Sequence, residues 1–205
     1  MTKFPASDNI KRKNQRKKTD MTLQESFNQA KYSYDRALKF IDAMSVNLKK
    51  IKPDFDGETA KYEFDIILQY VLLRTALADG KFLSSEGMFI DSITDNFDIL
   101  YLFDDVPDTL GWKWIAENQS LNKIEQVING LRGLADRYIV DFISWFSALD
   151  VIEKEFDLLE ILTHEMTKIC VNFVYCDGDR AEDEVEVASR TVAEILSVPW
   201  KLKME

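Results

Sequence analysis

Two copies of one short phrase constrain this chain more than anything else in it. The first is Ala78-Asp79-Gly80-Lys81-Phe82-Leu83-Ser84-Ser85-Glu86, the second Cys176-Asp177-Gly178-Asp179-Arg180-Ala181-Glu182-Asp183-Glu184. Each reads small residue, Asp-Gly, five residues, Glu. Each follows an apolar run of helical character, Leu72 to Leu77 in one case and Val171 to Tyr175 in the other. Gly accepts the left-handed backbone that ends a helix. The Glu falls in the first turn of the next helix, where the macrodipole favours a carboxylate. Two helices joined so tightly must fold back on one another, and the pattern therefore predicts a helix, Asp-Gly turn, helix unit used twice.

Paired carboxylates admit two readings. In one, Asp79, Glu86, Asp177 and Glu184 converge into a cage of hard oxygen ligands suited to Ca²⁺ or Mg²⁺. In the other, Asp-Gly is a turn and Glu an early-helix residue, with no metal needed. A third phrase, Asp56-Gly57 with Glu63, follows Lys49-Lys50-Ile51-Lys52-Pro53 rather than an apolar run, and reads as punctuation only. An EF-hand is excluded for the two main phrases. Its first and third loop positions would be Thr75 and Leu77, or Phe173 and Tyr175, and these apolar and aromatic side chains do not ligate calcium.

Leu77-Ala78-Asp79-Gly80 with Glu86, and Cys176-Asp177-Gly178 with Glu184, resemble the paired motifs of the TerB-like (tellurite-resistance) family over roughly residues 58 to 197. The resemblance implies an all-helical domain with an internal repeat, and an acidic, metal-binding site at Asp79, Glu86, Asp177 and Glu184. It also implies a non-catalytic role in stress response or scaffolding. Cys176 stands where the family has a small Ala, and a long helix precedes the domain. The alternative function is a helical protein-interaction domain whose acidic turns are structural.

The rest of the chain is consistent with an all-α bundle of about seven helices. Only 4 Pro and 7 Gly interrupt 205 residues that are 46% hydrophobic, enough for a packed core. Residues 1–20 carry seven Lys or Arg against two Asp, a net +5, which leaves −15 for the remainder of a chain of net charge −10. This stretch lacks apolar periodicity and reads as a disordered basic tail. It is a solubilising arm or a weak contact for an anionic membrane surface. Specific nucleic-acid recognition is not expected, and Met21 is an alternative start.

Residues 21–57 read as a long amphipathic helix and linker. Leu23, Phe27, Ala30, Tyr34, Ala37, Ile41, Met44, Leu48 and Ile51 step by threes and fours along one seam, which Pro53 ends. The seam packs into its own bundle or joins a second copy as a homodimer. Residues 58–205 form the TerB-like domain. Its first helix buries Phe64, Ile67, Leu68, Val71, Leu72 and Thr75. Ser84 or Ser85 is expected to cap the next helix, which runs to about Phe97 with Asp91 exposed. Aromatic residues from 97 to 119, among them Trp112 and Trp114, are expected to lid the core. A helix from Ser120 passes Gly130 and Gly133, where a kink or a close helix contact is expected. Helices over 155–176 and 182–197 complete the set.

Catalytic readings find little support. His164 is the only histidine, and Glu160 lies four residues before it, so not even one Glu-x-x-His motif of a diiron site is present. No phosphate-binding glycine loop occurs. Cys170 and Cys176, six apart on one expected helix, lie about 9 Å apart at 1.5 Å rise, too far for a disulfide. They read as core thiols in a reducing, cytoplasmic setting. A protein partner is expected.

Overall fold

A computed structural model describes residues 22–94, 111–150, 158–176, 186–188 and 190–191. Helix α1 spans Leu23–Ile51, α2 Gly57–Ala76, α3 Ser84–Ile93, α4 Trp112–Asn118, α5 Leu121–Asp150 and α6 Leu158–Phe173. A 3₁₀ turn, Leu77–Asp79, closes α2. Every regular element among the described residues is helical, so the chain is an all-α bundle. No helix among them is long and apolar enough to cross a membrane.

The bundle is built around α2. Residues Glu63 to Leu73 are buried without interruption, so this helix is enclosed on all sides rather than on one stripe. Asp56, from the third Asp-Gly phrase, caps it by accepting the Thr59 N–H at 3.1 Å. Helices α1, α5 and α6 wrap it, and α1 packs more extensively on α6 than on any other described helix. Thr22 and Glu25 start α1 with a reciprocal capping box.

The α1 seam faces this bundle. Ala30, Tyr34, Ala37, Ile41 and Leu48 are buried, and Phe27 and Met44 pack against the core. The terminal seam positions Leu23 and Ile51 are exposed, because the helix overruns its neighbours at both ends. Burial of a Leu or Ile side chain contributes about 1.5–3 kcal/mol, so the central seam residues anchor α1 in the chain's own core.

Several expectations are corrected. Helix α3 stops at Ile93 rather than near Phe97, with Thr94 donating its N–H to the Ile90 carbonyl. Leu83, not a serine, is the residue before α3. Ser84 is already helical, and its hydroxyl donates across to Glu117 at 2.7 Å. The aromatic segment contains a helix of its own, α4, with Trp112 and Ile115 inside the core. Helix α5 runs unbroken through Gly130 and Gly133, and a Cβ at either would meet no described atom within 4 Å. The close contact that does require glycine is at Gly87. A Cβ there would lie 2.5 Å from the Lys113 backbone nitrogen, so α3 and α4 meet backbone to backbone. Cys170 and Cys176 are free and buried. The expected tail over 1–20 and most of the helix expected over 182–197 lie outside the described residues; positions 186–188, 190 and 191 of the latter are helical.

Candidate functional site

The first acidic turn is assembled by its own backbone. Helix α2 tightens into the 3₁₀ turn, and Gly80 follows at φ 78°, donating its N–H to the Leu77 carbonyl at 3.1 Å. That left-handed conformation is the one the Asp-Gly pattern predicts. Asp79 Oδ1 accepts the Lys81 N–H at 2.9 Å, and the Lys81 ammonium lies 3.4 Å from Oδ2. The Asp79 carboxylate thus folds over the turn it helps to form.

Glu86 has a comparable task at the far end of the loop. It is the third residue of α3, and its Oε2 accepts the Leu83 N–H at 2.5 Å. This is the backward half of a capping box, without the hydroxyl that usually supplies the forward half. Glu86 is buried. Its carboxylate satisfies a backbone donor that the helix start leaves over.

Asp177 and Glu184 lie outside the described residues. Among the described residues no three His, Cys, Asp or Glu side chains gather as a metal-ligating group. Asp79 and Glu86 offer two carboxylates, both engaged with loop N–H groups, against the six to eight oxygens that Ca²⁺ takes. The described half of the site therefore falls short of a cation cage by itself.

The two phrases nonetheless approach one another. A cleft of about 270 Å³ is lined by Arg74, Leu77 and Ala78 at the end of α2, by Glu125, Ile128 and Asn129 on α5, and by Val187. Val187 lies three residues beyond Glu184, and Ala78 immediately precedes Asp79. Cys176, just before the second Asp-Gly, is buried in the core. A small residue at that position is thus required by packing.

Three further carboxylates have roles that the sequence pattern did not assign. Asp91 bridges α3 to α4, accepting the Trp112 and Lys113 N–H groups at 2.7 and 3.0 Å. Burial pushes its carboxyl up from the ordinary aspartate value, against the lowering effect of those two hydrogen bonds. Glu165 is buried on α6. Its Oε1 lies 3.4 Å from Arg36 and 3.3 Å from Lys168, while its Oε2 has no hydrogen-bond partner. Glu63 is buried on α2, also with one oxygen unpartnered. Its own phrase was read as punctuation, and only the enclosure of α2 on every side puts a carboxylate at that position out of water.

A second cleft, about 400 Å³, lies between α1 and α6. Asn28, Gln29, Tyr32 and Ser33 line one wall, Lys168 and Asn172 the other. Tyr32 is 64% exposed, and Val171, next to the buried Asn172, is 52% exposed. His164 sits exposed on α6.

Compared with known proteins, the chain matches no family model, no curated protein and no solved structure. Its likeness to TerB-like domains rests on the two phrases themselves.

Proposed function

We propose that the chain is a non-catalytic helical module that works by holding a protein partner, with the acidic turn at Asp79 serving as structural punctuation. One observation carries this reading: Asp79 and Glu86 each direct their carboxylate to a backbone N–H of the loop they flank. The exposed Tyr32 and Val171, beside the α1–α6 cleft, give such a partner apolar purchase. By its resemblance to TerB-like domains the module belongs to a stress-response or scaffolding assembly.

The test is a thermal melt with and without Ca²⁺ or Mg²⁺, on the wild type and on Asp79→Asn/Asp177→Asn. A structural turn leaves the wild-type midpoint where it was. The partner half is tested with Tyr32→Ala/Val171→Ser, expected to melt as the wild type while losing the complex that the wild type forms in native extract. A wild type that forms no complex at all would sink that half.

A divalent-metal module is the second reading. It is favoured by the cleft that sets Val187, just past the second phrase, against Leu77 and Ala78 of the first. A cation bound only by the folded state, at a hundredfold excess over its dissociation constant, adds about 2.7 kcal/mol. A rise in midpoint reversed by chelator and absent from the double variant would establish that reading and overturn the structural one.

A further inference from the structure

Glu63 lies in the first half of α2, 6% exposed, with Oε2 lacking any hydrogen-bond partner. A carboxylate in that position is costly to ionise, because burial removes water without supplying a donor. Two charged groups act on it from α5, Asp141 and Arg137, and one from the α1–α2 linker, Lys52. Charged and polar groups on the other helices packed against α2 have partners of their own. Asp42 of α1 pairs with Lys61 at 3.1 Å, the Tyr34 hydroxyl donates to Asp65 at 2.7 Å, Glu86 of α3 holds the Leu83 N–H, and Glu165 of α6 sits between Arg36 and Lys168.

Lys52 is the mobile element of this arrangement. Its ammonium lies 5.5 Å from the centre of the Trp145 ring, a cation–π distance. Phe55, three residues on, meets the same ring edge-on at 5.1 Å. The linker is thus held to α5 through one indole, whose own buried Nε1 has no hydrogen-bond partner.

We propose that Glu63 is a proton-operated latch on the seam between α2 and α5. Protonated, its carboxyl lies neutral against α5, and Lys52 stays over Trp145. Ionised, it draws Lys52 from the Trp145 ring toward the new charge and loosens the linker over Lys52 to Phe55.

The electrostatics place this step in the neutral range. Burial raises the Glu63 carboxyl most, the negative charge of Asp141 raises it further, and Arg137 and Lys52 pull it back, leaving it at about 7 against an ordinary 4.5. The folded chain therefore holds the proton more tightly than the unfolded chain. This group's effect on stability is most favourable at pH below about 4.5. It declines as pH rises through the interval to about 7, and is level above that.

The latch is tested on the full chain by tryptophan emission and thermal melts between pH 5 and 8. The wild type is expected to show an emission step with a midpoint near pH 7, together with a melting temperature that falls from pH 5 to 7. Glu63→Gln, which imitates the protonated form, loses the emission step and that part of the melting slope. It also separates the carboxylate from His164, the chain's only histidine. Trp145→Phe or Lys52→Met removes the emission step while keeping the slope difference between Glu and Gln at position 63. Asp141→Asn moves the midpoint to lower pH, and Arg137→Gln moves it to higher pH. An unchanged step in Glu63→Gln, or a midpoint that Asp141→Asn leaves in place, would overturn the proposal.

Discussion

Asp91 on α3 holds Trp112 of α4 by its backbone rather than its ring, with Oδ1 2.7 Å from the Trp112 nitrogen. The second carboxylate oxygen takes the next N–H, that of Lys113. A helix start has spare donors, and here a neighbouring helix answers two of them. Asp91→Ala is expected to cost about 1–2 kcal/mol, the range for loss of a helix-capping side chain. Asp91→Asn, which keeps one acceptor, is expected to cost less. Urea unfolding of the three proteins checks the order; an Asp91→Ala variant as stable as the wild type would show that the bridge contributes nothing.

The glycines divide into one that packing requires and two that it does not. Gly87→Ala pushes a methyl group into the Lys113 backbone and should cost about 1–3 kcal/mol by overpacking. Gly133→Ala meets open space within a continuous helix and should stabilise by about 0.5–1 kcal/mol. Gly130→Ala is expected to do the same. Thermal melts that give the same sign at positions 87 and 133 would contradict the close approach of α3 and α4.

Cys170 is fully enclosed on α6, and burial pushes its thiol up to about 12. The folded protein at pH 8 should react negligibly with a thiol-specific reagent at Cys170, and Cys176 should be shielded by its burial alone. Both should label stoichiometrically in denaturant. Fast labelling of the native chain at either position would mean that the α6 core opens readily.

Periodicity made α1 legible. Ala30, Tyr34, Ala37, Ile41 and Leu48 lie on one seam and all are buried. The Asp-Gly pattern likewise foretold Gly80's left-handed backbone, since few other local signals require φ above zero. Local rules were weaker at the start of α3, where either of two serines fitted the capping preference. Glu86, reaching back to Leu83, took part of that role instead. Asp91 was illegible because its partners stand 21 and 22 residues away, across a segment whose path the sequence does not dictate. The glycines of α5 misled for a related reason: a glycine in a helix signals a close contact only if another element passes by, and none of the described ones does. Of the candidate metal residues, Asp79 and Glu86 were placed correctly at the two ends of one turn. Whether they meet Asp177 and Glu184 depends on tertiary packing that no local pattern encodes.

The pairing of α1 with α6 has a consequence for how the chain is made. Arg36 and its partner Glu165 are 129 residues apart. At a synthesis rate of about 5–20 residues per second, α1 waits roughly 6–26 s for the helix it packs against most. Throughout that interval Tyr34, Ile41 and the rest of its seam lack their largest cover. The nascent chain therefore passes through a stage in which its first helix is an adhesive surface, and a chaperone that shields amphipathic helices would act there.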